Sequence, residues 1–136
     1  MKRILSIRYS VAAFNFSMLL LRVVFGLLMI IKHGYDKMMK FSTLQNEFYS
    51  FFGIGSKASL VLAIFAEVLC ALFIVLGLFT RLAAIPLIIT MLVAVFGFNG
   101  GKPLIESEVA LLYLGAFTTL LFCGPGKISI DGMINK

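Results

Sequence analysis

Long apolar runs alternate with short polar breaks along the chain, at about 11–31, 57–78, 82–98 and 105–122. A helix of about 20 apolar residues is long enough to cross the ~30 Å hydrocarbon layer of a bilayer. Such a helix also satisfies its own backbone polar groups, as any segment in contact with lipid must. The pattern predicts an all-α membrane protein, a bundle of four transmembrane helices in which residues 1–136 form a single membrane domain.

A different periodicity separates the first two spans. Within about 38–52, phenylalanine, methionine and leucine recur at steps of three and four residues, and Gly53 and Gly55 follow. This spacing predicts an amphipathic helix lying in the membrane interface with its phenylalanines toward the lipid. A plug packed over the end of the bundle is the alternative.

The breaks between the other spans are turn signals. Only a tight turn at Thr80-Arg81 separates the second run from the third, which predicts an antiparallel hairpin with Pro86 in the first turn of the third helix. The sequence 99–103 predicts a turn before the fourth span. Arg22 within the first run argues against a cleaved signal peptide, so we expect this helix to be retained. Flanking charges weakly favour cytoplasmic termini.

Composition supports this assignment. Hydrophobic residues make up 61% of the chain and charged residues 13%, against about 45–50% and about 25% in soluble domains. The net charge is +6, but the basic residues are scattered at the ends of the apolar runs. This distribution favours the headgroups of a lipid bilayer as partner and argues against nucleic acid. The two cysteines form no C-x-x-C motif, so no metal site is predicted.

Two charged residues interrupt the apolar runs, Arg22 in the first and Glu67 in the second. A charge in mid-bilayer is costly unless it is paired. Counted from the ends of the runs, Arg22 lies roughly 16 Å and Glu67 roughly 15 Å deep. This depth match predicts an Arg22–Glu67 ion pair at the midplane. Such a pair either fixes helix register alone or contacts a ligand, a proton path or a partner.

Further polar residues are predicted to gather at the outer end of the bundle. His33 and Lys37 share a helical stripe with Arg22 and Gly26, and Glu108 opens the fourth helix. The candidates for ligand binding or proton handling are Arg22, His33, Lys37, Glu67 and Glu108. For His33 the alternative is a headgroup-level residue without a catalytic role, although an unperturbed histidine exchanges protons near neutral pH. No nucleophile with an adjacent base is apparent, and the catalytic residues stay unassigned.

The order of these motifs resembles the DoxX family of small membrane proteins. The resemblance runs from about Leu20 to Asp131 and rests on Arg22-x-x-x-Gly26, His33-Gly34-x-x-Lys37, Glu67, Gly77-Leu78-Phe79-Thr80-Arg81, Glu108-x-Ala110-Leu111-Leu112 and Gly124-Pro125-Gly126-Lys127-x-Ser129-x-Asp131. Within this set we expect structural or topological roles for Gly26, Arg81, Gly124, Pro125, Gly126 and Asp131.

The resemblance implies a multi-pass protein of the prokaryotic cytoplasmic (inner) membrane with a loose link to redox chemistry. Some relatives are named as quinone-reducing subunits, and others are linked to oxidative stress or disulfide handling, for which this chain lacks paired cysteines. One hypothesis is a redox accessory subunit that binds a quinone at a polar centre, with no intrinsic cofactor and with a redox partner protein or a homo-oligomer as its assembly. The other is a non-enzymatic scaffold or small-molecule permease with a purely structural Arg–Glu pair.

Overall fold

The computed structural model describes residues 4–46, 49–50, 53–98 and 107–134, and these residues are mostly helical with no strand among them. Three helices are long and apolar enough to cross a membrane: α1 (Val11–Met39), α3 (Ser56–Leu76) and α4 (Thr80–Gly97). A shorter apolar helix, α5 (Glu108–Cys123), follows. Two short helices complete the described part of the chain, α2 (Phe41–Leu44) and α6 (Ile130–Ile134). The prediction of an all-helical protein with membrane-spanning helices is confirmed.

Helix α1 begins at a side-chain cap and runs further than predicted. The Ser10 hydroxyl accepts a hydrogen bond from the Ala13 amide at 3.0 Å, as serine does at helix N-termini. The helix continues through a π-helical stretch, Met29–Gly34, into Tyr35–Met39. The helix therefore continues past Ile31, where the predicted span ends, and Lys32 and His33 lie on it.

Two glycines fix how α1 packs against α3. A Cβ on Gly26 would lie 3.2 Å from the Ala71 carbonyl oxygen, and a Cβ on Gly34 would lie 3.0 Å from the Glu67 carbonyl oxygen. Only a residue without a side chain allows the two backbones to approach so closely. The contacts place Gly26 beside Ala71 and Gly34 beside Glu67, so the two helices run antiparallel in a defined register.

The hairpin between α3 and α4 turns earlier than predicted. Gly77 and Phe79 both have positive φ, 73° and 49°, and α4 begins at Thr80. The turn therefore precedes Thr80 and Arg81. Pro86 consequently lies inside the helix, where it leaves the Leu82 carbonyl without its helical N–H donor. The Thr90 hydroxyl donates to the Pro86 carbonyl at 2.8 Å.

The core lies between α1, α3, α4 and α5. Its fully buried members include Met29, Ala71, Ile74, Ala84, Leu87, Phe117 and Leu120. Helix α5 packs along α4, and its 16 residues make it shorter than the other three. Of the predicted interfacial helix at 38–52, the structure shows the end of α1 and the four-residue α2. Residues 47, 48, 51 and 52 lie outside the described residues, as do 105 and 106 of the predicted fourth span.

Candidate functional site

A buried ion pair joins α1 to α3. The Lys37 ammonium donates to Oε1 of Glu67 at 3.1 Å and lies 2.9 Å from Oε2. The Glu67 side chain is 3% exposed and the Lys37 side chain 20%. Oε2 receives no hydrogen bond from the described residues, so the carboxylate keeps acceptor capacity beyond its lysine.

This pair replaces the predicted one, because Arg22 and Glu67 do not meet. Arg22 lies beside Val75 and Gly77, whereas Glu67 lies beside Gly34. The fifteen residues from Arg22 to Lys37 separate the two charged sites by roughly 20 Å along α1. The depth match failed because it assumed that the ends of the two apolar runs are level. The contacts of Gly26 with Ala71 and of Gly34 with Glu67 set a different register, in which Gly34 lies beside Glu67.

The Lys37–Glu67 pair lines a cavity between α3 and α4 with a volume of about 510 Å³. Three hydroxyl side chains also line it, those of Tyr49, Ser59 and Thr90. The rest of the wall is apolar and includes Ala63, Ala66 and Met91. A mainly apolar cavity of this size with a few convergent polar groups is typical of a small-molecule site.

An aromatic cluster lies beside the ion pair. The His33 ring meets the Tyr113 ring edge to face, with centroids 5.3 Å apart and planes at 88°. Tyr113 stacks on Phe117 at 5.9 Å and meets Phe25 edge to face at 5.7 Å. The Tyr113 phenol lies within electrostatic range of Glu67, and His33 within range of Lys37. His33 is therefore packed against α5 at the level of the Lys37–Glu67 pair.

Glu108, which was predicted to lie with these residues at the outer end of the bundle, does not join this cluster. Glu108 is the first residue of α5 and is exposed. No hydrogen bond or ion pair links it to another residue in the described ranges. Glu106 lies outside the described residues. Of the predicted candidates, the structure brings His33, Lys37 and Glu67 together and leaves Arg22 and Glu108 apart from them.

Arg22 instead holds the carboxyl-terminal clasp, the segment 124–131 that folds back over the opposite end of the bundle. The Arg22 guanidinium donates to the carbonyls of Pro125 at 2.8 Å and Ile128 at 2.7 Å. A longer hydrogen bond of 3.4 Å reaches the Val75 carbonyl. Although Arg22 is 2% exposed, its charge is met by backbone acceptors and by the nearby Asp131 carboxylate.

Asp131 joins the clasp to the α3–α4 turn. Its two carboxylate oxygens accept hydrogen bonds from the backbone amides of Phe79 at 2.8 Å and Thr80 at 2.9 Å. These amides are at the amino end of α4, where a carboxylate is favoured by the unpaired N–H groups and by the helix dipole. The Asp131 amide in turn donates to the Gly77 carbonyl at 2.8 Å.

The glycines of the clasp allow its close turns. Gly124 and Gly126 both have φ of 80°, in the region that favours glycine. A Cβ on Gly126 would lie 3.2 Å from Met18 Cβ, and one on Gly124 would lie 3.2 Å from the Arg81 guanidinium. Arg81 itself is exposed and donates to the Phe122 carbonyl at 3.5 Å.

Tyr49, Ser59, Thr90 and Tyr113 were not among the predicted site residues. The signal for Ser59, Thr90 and Tyr113 was present in the sequence, since each is a polar side chain within a predicted apolar span. Tyr49 carries no such signal, and its place in the cavity wall follows only from the fold. In the described part of the chain, no group of three or more His, Cys, Asp or Glu side chains is arranged to hold a metal ion.

Comparison with known proteins places the chain in a family. The DoxX family model matches residues 17–100, more than half of the chain. The protein belongs to the DoxX family. The matched region holds Arg22, Gly26, His33, Lys37 and Glu67, whereas Glu108 and the carboxyl-terminal clasp lie beyond it. No curated protein and no solved structure matches the chain.

Proposed function

We propose that this DoxX protein is a redox-associated accessory subunit that binds the headgroup of a quinone at the Lys37–Glu67 pair. The observation that carries the proposal is a buried ion pair in the wall of a cavity of about 510 Å³ with otherwise mainly apolar lining. A structural ion pair needs no cavity beside it. A pair that serves a ligand does.

The donor set fits a quinone. A quinone carbonyl accepts hydrogen bonds, and the Lys37 ammonium is a charged donor with three N–H groups. Charge-assisted hydrogen bonds of this kind are roughly twice as strong as those between neutral groups. Glu67 Oε2, which no described residue reaches with a hydrogen bond, is an acceptor for a hydroxyl of the reduced form.

The redox role divides the chemistry between this chain and another molecule. Reduction of a quinone to a quinol consumes two electrons and two protons. The electrons in this proposal come from a partner redox protein, and this chain binds and orients the quinone ring. The Lys37 ammonium passes protons taken up from water to the bound oxygen atoms, the Glu67 carboxylate accepts hydrogen bonds, and His33 lies beside them on α1.

The proposal also includes a membrane arrangement. We propose that α5 crosses the prokaryotic cytoplasmic membrane as a fourth span, because its 16 residues extend about 24 Å at the α-helical rise and pack along α4. The exposed apolar side chains of Met38 and Met39, at the carboxyl end of α1, support an interfacial position for this end and for the segment that follows it.

Co-purification followed by rebinding tests the proposal. Wild type, Lys37→Met, Glu67→Gln and Lys40→Met are purified from quinone-containing membranes, and bound quinone is measured by mass spectrometry and by titration. We expect the first two substitutions to weaken binding about ten-fold, or about 1.4 kcal/mol. Lys40→Met is the matched control, because Lys40 is an exposed lysine paired with exposed Asp36.

Two results would overturn the proposal: a wild-type protein that binds no quinone, or variants at Lys37 and Glu67 that bind it as wild type does. Either result would favour the alternative hypothesis, a scaffold or small-molecule permease. The Arg22–Glu67 pair that this alternative included is not formed in the structure.

A further inference from the structure

The cavity beside Lys37 and Glu67 opens sideways, between α3 and α4. Three of its lining residues are apolar and exposed: Leu62 at 51%, Phe65 at 45% and Ile89 at 46%. Leu62 and Phe65 belong to α3 and Ile89 to α4. On helices that cross a membrane, such exposed apolar side chains face the lipid chains. The opening therefore faces the interior of the bilayer.

Small side chains produce the space behind this opening. Ala63 and Ala66 on α3 are buried and line the cavity together with Ala94 on α4. Pro86 and Thr90 lie on the same wall. The Thr90 hydroxyl is engaged as a donor to the Pro86 carbonyl, so toward the cavity it offers its lone pairs. The wall is thus mainly apolar, and Lys37 and Glu67 are the charged residues that line it.

The charges at the inner end restrict the ligand's head. Lys37 and Glu67 neutralise each other at 2.9 Å, and Glu67 is almost fully buried. A charged head would leave one net charge in this apolar surrounding, which is costly. A neutral head with hydrogen-bonding oxygens adds to the pair without displacing either partner.

We propose that the ligand enters laterally from the bilayer between α3 and α4, and that it is a lipid with a neutral, hydrogen-bonding head and one linear apolar tail. The head lies at Lys37–Glu67, and the tail leaves through the opening formed by Leu62, Phe65 and Ile89. This inference rests on the proposed function for the head and adds the route and the tail.

The absence of tryptophan from the sequence allows a direct test. Ile89→Trp places a single fluorophore at the opening, and quinones quench indole fluorescence at short range. Leu92→Trp is the matched control, because Leu92 is exposed on the same helix about 4.5 Å along its axis and does not line the cavity. Phe65→Trp, an aromatic replacement on α3, provides a second reporter should Ile89→Trp fail to fold.

Each variant is reconstituted in phospholipid nanodiscs and titrated with a benzoquinone carrying a decyl tail or with the same ring without the tail. Both probes are expressed as mole fraction in the bilayer. We expect the tailed probe to quench Ile89→Trp saturably, with a half-point at least ten-fold lower than that of the bare ring. Leu92→Trp should show only linear collisional quenching. Adding Lys37→Met to Ile89→Trp should raise the half-point for the tailed probe about ten-fold.

The outcomes separate this inference from the proposed function. Equal half-points for the tailed and bare rings in Ile89→Trp, with wild type still retaining quinone, would overturn the lateral route and leave the headgroup site in place. Saturation by neither probe, with no quinone retained by wild type, would overturn both. Quenching of Ile89→Trp by phospholipid with brominated acyl chains, unchanged by the tailed quinone, would assign the opening to bilayer lipid and overturn the inference.

Discussion

Each end of the bundle holds a buried charged side chain, but the hydrogen-bond partners of the two differ. At one end Arg22 donates to three backbone carbonyls of the clasp and of α3. At the other end Glu67 has, among the described residues, a single side-chain hydrogen-bond partner, Lys37, and faces a cavity. Both residues are almost fully buried, so burial alone does not distinguish them.

The difference lies in the kind of group that pairs with each charge. Backbone carbonyls cannot move away without unfolding the segment that carries them, so Arg22 stabilises the fold of the clasp. A lysine side chain on the neighbouring helix can reorient, and the cavity gives the pair room to accept a further polar group. Each charge keeps one buried atom without a hydrogen bond in the described part of the chain, Nε of Arg22 and Oε2 of Glu67. Several backbone partners therefore indicate a structural role for Arg22, whereas a side-chain pair beside a cavity indicates a site at Glu67.

The largest expected effect is that of Arg22→Met. The substitution keeps apolar bulk but leaves the Pro125 and Ile128 carbonyls without their donor, and it leaves Asp131 without its nearby cation. Removing one partner from a buried charged network costs about 3–5 kcal/mol. We expect a loss of unfolding free energy of this size, measured by denaturation in detergent micelles.

Arg81→Met is the control for that measurement, because Arg81 is exposed and makes only a 3.5 Å hydrogen bond; a change of less than about 1 kcal/mol is expected for such a group. Equal stability of the two variants would show that the clasp does not depend on Arg22, and the comparison between the two ends would fail.

Gly34→Ala tests the helix approach that positions the Lys37–Glu67 pair. The added methyl would lie 3.0 Å from the Glu67 carbonyl oxygen, which the backbone holds in place. Overpacking of this kind costs about 1–3 kcal/mol. We expect lower stability together with weaker quinone binding, since α1 must move away from Glu67.

Gly115→Ala on α5 is the matched substitution, because a Cβ there has nothing within 4 Å. In an open helical position, alanine is expected to stabilise by about 0.5–1 kcal/mol relative to glycine. The two variants should therefore shift the unfolding midpoint in opposite directions. A shift in the same direction would contradict the assigned packing of α1 on α3.

Asp131→Ala should have a smaller effect, confined to the clasp. It removes the acceptor for the Phe79 and Thr80 amides, and losing a helix cap costs about 0.5–2 kcal/mol. Quinone retention should be unchanged, because Asp131 lies at the Arg22 end. Asp36→Ala is the control, since the ion pair that Asp36 forms in the described ranges is the exposed one with Lys40. Loss of ligand in Asp131→Ala alone would show that the two ends are coupled.

The helices themselves could be predicted from the sequence, because apolar length decides whether a segment can span a bilayer. The register between them could not. Lys32 and His33 appeared to end the first apolar run, yet a helix whose carboxyl end projects beyond the apolar layer can carry polar side chains without ending. The relative shift of α1 and α3, which the close contacts at Gly26 and Gly34 set, decided whether Arg22 or Lys37 was opposite Glu67.

The candidate site shows the same limit. Glu67, Lys37 and His33 could be identified because ionisable residues in or near apolar runs are rare. The cavity could not, since it arises where Ala63 and Ala66 on one helix face Pro86 and Ala94 on another. Small residues carry no chemical signal in a sequence. Whether they leave an opening depends on how the helices cross.

Of the two buried charges, Glu67 is expected to give the smaller loss of stability on substitution, in Glu67→Gln. Glutamine keeps the volume and an oxygen that can accept from Lys37, and Lys37 lies close to the end of α1 with its side chain 20% exposed. Losing the charge of one hydrogen-bonded partner in this setting should cost about 1 kcal/mol. Because quinone binding is expected to fall about ten-fold in the same variant, Glu67→Gln should lose function without losing the fold, the reverse of Asp131→Ala. Unfolding and quinone titration on the same preparation measure both effects. A variant that unfolds as readily as Arg22→Met would show that Glu67, too, is structural.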